Sequence, residues 1–350
     1  MNMKLQKLVN FPIFLSMLLL MSIGILVIYS SSRELATQQF IFAVAGITLA
    51  FLILRLDLEA LKNLINPLYI LMIVLLMAVF ILGIETRGTL RWIPFGIFNI
   101  QPSEFAKPVL ILFLAKFWSE NLPTWGNIIK SILWTSVYFL LIFIQPDLGS
   151  SLTIIAIWLG ILFAGRISIR KIVVLALIII IAIPSSWVFL HDYQRQRILG
   201  FLSPQSDPLG RGYNLVQSRV AVGSGQLLGR GLGRGTQSRL QFLPEFRTDF
   251  IFASIGEEMG FVGSLVILLV YLYLLLYSIR IALKAGSYFI FLIVFGVVSM
   301  LLFQIFVNIG MNIGLMPITG ITLPLISYGG SSLVATLLCL GMVASAARKR

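Results

Sequence analysis

The chain has 350 residues, of which 59% are hydrophobic and only 11% charged, with a mean hydropathy of +1.00, far from the roughly 45–50% apolar and ~25% charged content of soluble domains. That composition excludes a soluble globular protein and a disordered one, and leaves a polytopic membrane protein. The formal net charge of +13 does not point to nucleic acid, because the basic residues are scattered between apolar runs and form no continuous basic face; anionic lipid heads or a phosphorylated lipid fit better.

A membrane helix needs ~20 mostly apolar residues. Ten runs approach or exceed that length, near 11–30, 38–54, 65–84, 103–117, 128–144, 151–165, 171–190, 250–279, 286–314 and 322–346. The first follows Lys4 and Lys7, exceeds a signal-peptide core and lacks a small-residue cleavage site, so it reads as a retained span. The fourth and sixth are short, and the eighth and ninth are long enough to tilt or break. Lysine and arginine collect in alternate connections: Lys4 and Lys7, Arg55 and Lys62, Lys116 and Lys130, Arg166 to Lys171, Arg280 and Lys284, and Arg348 to Arg350. This expectation places both termini in the cytoplasm. The external connections are then 31–37, 85–102, 145–150, 191–249 and 315–321. The fold class is an all-α polytopic integral membrane protein, a single domain over 1–350 with one large extracytoplasmic loop at about 191–249. The single cysteine, Cys339, allows no internal disulfide and reads as a small apolar residue in the last span.

The large loop breaks the charge pattern. It carries eight arginines, among them Arg195 and Arg197, and no lysine, opposed by Asp192, Asp207, Glu245 and Asp249. Arginine grips phosphate through a planar fork where lysine offers a point charge, so this bias suits phosphate or pyrophosphate; contacts to lipid heads or helix ends are the alternative. The glycine-rich stretch LGRGYNLVQSRVAVGSGQLLGRGLGRG lacks the strand-to-helix setting of a nucleotide motif. Its YNLVQSRVAV predicts a short amphipathic helix on the outer surface.

Ionisable residues near or within spans are candidates for function. Glu104 and Lys107, in QPSEFAK, lie i,i+3 on one face of the fourth span. They either serve an anionic substrate or neutralise each other. Asp147, in QPDLGSS, is a candidate at the same depth or a cap of the sixth helix. Asp249 is expected to open the eighth span, with Glu257 and Glu258 roughly 12 Å deeper at 1.5 Å per residue. At most one of these two glutamates can share its face. Gln304, Asn308 and Asn312 form a polar stripe at i, i+4 and i+8, read as glue between helices. Pro317, Pro324, Gly329 and Gly330 rule out an unbroken helix after it and predict an interrupted segment near a cavity.

In order and spacing, RW at 91–92, QPSEFAK at 101–107, QPDLGSS at 145–151, LPEFRTDFIFASIGEEMG at 243–260 and PLISYGGSS at 324–332 resemble the SEDS family (shape, elongation, division and sporulation) across nearly the whole chain. HDYQRQRI, DPLGRGYNLVQSRVAVGSG and GTQSRLQFLPE resemble its elongation branch more than its division branch. Phe246-Arg247 departs from the pattern, since many members carry histidine before the Thr-Asp. The resemblance implies a bacterial cytoplasmic-membrane peptidoglycan glycosyltransferase that polymerises lipid II on the outer face. Its implied partners are a class B penicillin-binding transpeptidase and other membrane proteins of the elongation complex. The family's essential aspartate maps onto Asp249 as general base of an inverting transfer, and its fourth-span lysine onto Lys107. Arg91, Glu104, Asp147, Arg195, Arg197 and Ser327 join Lys107 as candidate substrate-binding residues. No organic cofactor is expected; a magnesium or manganese ion at the pyrophosphate stays open, since a few carboxylates do not define a coordination set. So do two other classes: a lipid flippase, for which Glu257, Glu258 and the polar stripe hint at a route, and a scaffold without chemistry.

Overall fold

The computed structural model describes residues 10–86, 89–96, 98–185, 187, 192–207, 210–240 and 242–348. Lys4, Lys7, Lys349 and Arg350, used above for orientation, lie outside them.

The ten apolar runs become ten helices of 17 or more residues: α1 (Phe11–Ser31), α2 (Arg33–Arg55), α3 (Lys62–Leu82), α4 (Pro102–Glu120), α5 (Trp125–Ile144), α6 (Leu148–Ala164), α7 (Ile169–Ser185), then, after the long connection, Ile251–Leu283, Tyr288–Ile313 and Gly330–Arg348. Between α7 and Ile251 the chain forms three further helices rather than an open loop: α8 (Asp192–Leu202), α9 (Tyr213–Ser224) and the single turn α10 (Thr236–Arg239). The last three long helices are therefore α11, α12 and α13. Seven of the ten are long and apolar enough to cross a membrane. Of the others, α6 and α7 have 17 residues each, and α4 carries Glu104, Lys107 and Lys116 within its length.

Helix starts follow local chemistry. Ser32, Thr124, Asp147 and Ser287 each accept a hydrogen bond from the backbone N–H three residues on, capping α2, α5, α6 and α12. Pro102 occupies the first turn of α4, where a missing N–H costs nothing. The most extensive helix pair is α2 with α13. Ala43, Gly46 and Ala50 give α2 a small-residue face, and Gly46 meets Leu337 while Gly341 meets Ala50. In a bilayer, where apolar burial adds no drive for association, such close approach supplies the packing energy.

Side-chain contacts sort the connections into two ends. Lys116 Nζ donates to Lys62 O (3.0 Å), Lys171 Nζ to Pro123 O (2.5 Å) and Arg348 Nη1 to Leu54 O (3.4 Å), and Ser287 Oγ bonds Glu59 Oε1. At the other end Arg91 meets Gln145 and Pro146, Gln39 meets Ser327, and Ser30 meets Glu258. The alternation expected from the basic residues is thus the alternation of the fold. We call these the basic end and the loop end.

Three findings differ from expectation. The connection after α3 holds a small antiparallel sheet in the order β1 (Ile84–Thr86), β2 (Thr89–Phe95), β3 (Phe98–Ile100). The sequence TLRWIPFGIFNI has β-branched and aromatic residues around a glycine, which is a hairpin signal. Secondly, α9 docks on the bundle: Ser218 Oγ donates to Asn312 O (2.8 Å) and Arg219 Nη2 to Gly314 O (2.8 Å), at the end of α12. Thirdly, the last helix begins only at Gly330 rather than near 322, although the irregular backbone over 314–329 is the interruption its prolines and glycines predict.

Candidate functional site at the loop end

Asp249 lies two residues before α11, in a turn over 244–250, rather than at the first helical position. Four successive carbonyls of this turn accept hydrogen bonds from different parts of the chain. Ser254 Oγ donates to Phe246 O (3.0 Å), Tyr328 N to Arg247 O (2.9 Å) and Ser327 Oγ to Thr248 O (2.7 Å). Asn308 Nδ2 and Asn312 Nδ2 both donate to Asp249 O, at 2.9 and 3.0 Å. The asparagines of the polar stripe therefore join α12 to the main chain of Asp249 and, through Asn308 Nδ2 to Ile321 O (2.7 Å), to the irregular segment after it. The stripe joins elements as expected, and its target is this turn. Spacing at i, i+4 marks the shared face; only the fold supplies what the face meets.

The irregular segment brings a cation to the carboxylate. Gly320 sits at φ +76°, and a Cβ added there would lie 3.5 Å from Asp249 Oδ2 and 3.6 Å from Arg197 Nη1. Carboxylate and guanidinium flank the same glycine. Arg197, on α8, also donates through Nη1 to Ile318 O (3.3 Å). Arg195 points elsewhere: its Nε donates to Trp187 O (3.2 Å) and its Nη1 lies 3.6 Å from Asp192 Oδ1. The two arginines, weighed as a pair from sequence, differ in position. Gly320 was not singled out from sequence, where it is one of 29 glycines.

Asp147 forms a neighbouring node. Its Oδ1 caps α6 by accepting from Ser150 N (3.1 Å), and its Oδ2 accepts from Gln101 Nε2 (3.0 Å) and Ser103 Oγ (3.3 Å). Arg91 Nη1 approaches Asp147 Oδ1 at 3.9 Å, while its Nε donates to Gln145 O (3.2 Å) and its Nη2 to Pro146 O. The node abuts the Gly320 segment, since a Cβ on Gly149 would sit 3.0 Å from Thr319 O. One turn below Ser103, Lys107 Nζ pairs with Glu104 Oε1 at 2.6 Å, and both are buried. The pair is on the same end of the molecule as Asp249, joined to it through Asp147 and the Gly320 segment. Ser327 is a brace: besides holding Thr248, its oxygen accepts from Leu323 N (2.8 Å).

Glu257 and Glu258 hold the glycine-rich loop. Glu257 is 0% exposed. Its Oε1 accepts from Gln237 N (2.8 Å) and Thr236 Oγ1 (3.2 Å), and its Oε2 from Ser238 N (3.1 Å) and Ser238 Oγ (3.0 Å), so it gathers the open N–H groups of α10. Glu258 accepts from Ser30 Oγ (3.0 Å). Here α11 is broken at Gly260, whose φ +65° and ψ −163° suit only glycine. The loop fills the break: Arg230 N donates to Glu257 O (2.9 Å), Gly231 N to Glu258 O (3.0 Å), Phe261 N to Gln226 O (2.8 Å) and Val262 N to Leu227 O (3.0 Å). Backbone groups freed within a span are thereby satisfied by protein.

The departure at Phe246-Arg247 has its own contacts. Arg247 Nε donates to Ser31 Oγ (2.8 Å), Nη2 to Ser31 O (3.2 Å), and the guanidinium stacks 4.4 Å from the Phe246 ring. Burial lowers its pKa from the ordinary arginine value, and Glu245 opposes the shift. The arginine fastens the Asp249 turn to the end of α1.

Residues 6–350 match the cell cycle protein family of FtsW, RodA and SpoVE. The chain is 42% identical over 281 residues to the Escherichia coli K12 peptidoglycan glycosyltransferase MrdB, covering 79% of this chain and 76% of that one. It is 37% identical over 355 residues to the Bacillus subtilis stage V sporulation protein E, covering 95% and 94%. Among solved structures, a chain of a peptidoglycan synthase complex that coordinates polymerization and crosslinking superposes with a TM-score of 0.84 at 34% identity, over 97% of this chain and 98% of that one. The Thermus thermophilus rod shape determining protein RodA superposes at 0.75 and 29% identity, over 98% and 97%. By sequence over almost its full length and by fold, the chain belongs to the FtsW/RodA/SpoVE family, as its motifs predict.

Proposed function

We propose that this chain, a peptidoglycan glycosyltransferase of the elongation type, polymerises lipid II with Asp249 as general base. The observation that carries the reading is the convergence of Asp249 Oδ2 and Arg197 Nη1 on Gly320. Transfer of a sugar from a pyrophosphate donor needs a base for the acceptor hydroxyl proton and a cation for the departing pyrophosphate. In this reading Asp249 takes the proton as the acceptor oxygen attacks the anomeric carbon with inversion, and the lipid pyrophosphate leaves toward Arg197. Lys107, held by Glu104, adds positive charge below. Arg91 and Asp147 shape the neighbouring wall, and Ser327 and Arg195 support the site without entering the chemistry.

The loop end then faces the outside of the bacterial cytoplasmic membrane, with the basic end and both termini inside. A class B penicillin-binding transpeptidase is the natural partner, since the polymer must be crosslinked and the peptidoglycan synthase complex above does both. No group of three or more His, Cys, Asp or Glu residues able to hold a metal occurs among the described residues. A magnesium or manganese ion would be held chiefly by the substrate's own phosphate oxygens. The hints of a flippase route weaken, because Glu257 and Glu258 anchor the loop.

The test uses purified protein and labelled lipid II, with and without the transpeptidase and free of other glycosyltransferases. Asp249→Asn keeps size and hydrogen bonding but loses the base. It should be produced normally, bind lipid II and the partner, and make no glycan. Chains of ordinary length from this variant would overturn the assignment.

A further inference from the structure

At the basic end, far from Asp249, α3, α4 and α5 line an open cleft of about 360 Å³, within the roughly 300–1,000 Å³ range of small-ligand sites. Its floor is aromatic. Tyr69 stacks on Phe113 at 4.2 Å and meets Trp134 edge-on at 5.8 Å, and its hydroxyl is sealed by donating to Trp134 O (2.6 Å). Ile70 and Ile73 complete an apolar wall. The rim is charged: Lys116 and Glu120 lie i,i+4 on α4, with Asn66 and Asn121 beside them.

The rim charges are held in a particular way. Lys116 Nζ donates to Lys62 O (3.0 Å) and Asn66 Oδ1 (3.2 Å). An ammonium has three donors, so one is left beyond these two. Glu120 is exposed and makes no hydrogen bond or ion pair among the described residues. One fixed cation and one uncommitted anion thus stand a helical turn apart above an apolar, membrane-embedded slot.

We propose that this cavity binds a membrane phospholipid with a phosphoethanolamine head: the phosphate on Lys116, the primary ammonium on Glu120, and an acyl chain over Tyr69, Phe113 and Trp134. Charge complementarity selects this head. A glycerol head leaves Glu120 unanswered beside a net negative ligand, and a trimethylated choline has no N–H to donate. The aromatic floor selects a chain-bearing lipid over a free phosphate ester.

The experiment measures lipid retention by native mass spectrometry after purification from bilayers with equal parts phosphatidylethanolamine, phosphatidylcholine and phosphatidylglycerol. The wild type should retain phosphatidylethanolamine about tenfold over the other two, equivalent to ~1.4 kcal/mol. Glu120→Gln, at an exposed position, should abolish the preference between ethanolamine and choline while keeping the folded state. Lys116→Ala should lower retention of all three, and Arg280→Ala, at the same end but away from the cavity, should change nothing. Equal retention of the three lipids by the wild type, or an unchanged preference in Glu120→Gln, overturns the proposal. So does protection of Trp134 from lipid-borne quencher only when a partner protein is bound, which would make the cavity a helix-docking site.

Discussion

Glu257 is the sharpest place to separate anchoring from catalysis, because both readings require the carboxylate and differ in what its loss does. It is fully buried and accepts four hydrogen bonds from 236–238. Replacing it with alanine leaves the N–H groups of Gln237 and Ser238 without their acceptor, at about 1–3 kcal/mol each, while the two hydroxyls can turn to other partners. Relief of the carboxylate's own desolvation offsets part of this, so the net loss is about 3 kcal/mol. Localised to the loop, that raises the open population about a hundredfold, at ~1.4 kcal/mol per factor of ten. Arg230 and Arg234 are exposed within the same loop, so the readout is the rate of tryptic cleavage after them in detergent-solubilised protein, with thermal unfolding alongside. Glu257→Gln, whose amide can accept on one side only, should fall between, near tenfold. If Glu257→Ala left cleavage within twofold of wild type while abolishing polymerisation, the anchoring argument would be wrong and the carboxylate would belong to the chemistry.

Breaking the buried Glu104/Lys107 pair by Lys107→Ala should cost about 3–5 kcal/mol through the stranded carboxylate; the double variant Glu104→Gln, Lys107→Met should recover most of that stability in thermal unfolding, yet remain at least tenfold low in kcat. Recovery of activity with stability would reduce the pair to mutual neutralisation. Arg197→Lys should lower kcat/KM for lipid II about tenfold because the fork beside Gly320 is lost, whereas Arg195→Lys should stay within twofold; equal effects would refute the distinction drawn from their positions. Gly320→Ala introduces no clash with Asp249 or Arg197 but forces a left-handed backbone on alanine, at about 1–2 kcal/mol; a lowered melting temperature with reduced kcat is expected, and an unchanged protein would show the segment is free to relax.

The spans were legible because a bilayer imposes length and apolarity on each crossing. Even so, α4 was readable only as a short apolar run at 103–117, since its charges dilute the apolar signal. The break after Ile313 was legible from Pro317, Pro324 and Gly329. The destinations of long-range contacts were not. Glu257 lies in an apolar run and its donors lie some twenty residues earlier, in a stretch whose glycines read as ordinary turns; nothing local says that this stretch enters a break in α11. The same holds for Arg195 and Arg197. Two residues apart on a helix they point about 200° from each other, and sequence alone cannot say which side faces the Gly320 segment.

Asp249 also invites a structural reading, since an aspartate just before a helix ordinarily accepts from the helix's first N–H groups. Another residue takes part in that task. The cap position of α11 is Phe250, which offers no side-chain acceptor, and the N–H of Ala253 is met by Asn312 Oδ1 at 3.0 Å. Asn312 thus caps α11 with its oxygen while its nitrogen holds the carbonyl of Asp249. With Asn308, Ser327 and Tyr328 gripping the same turn by its carbonyls, the position of Asp249 is set through its main chain. Asparagine is suited to this because it carries donor and acceptor together and does not titrate. Holding the turn by its carbonyls fixes where the Asp249 carboxylate sits, which is the placement that the general base proposed above requires.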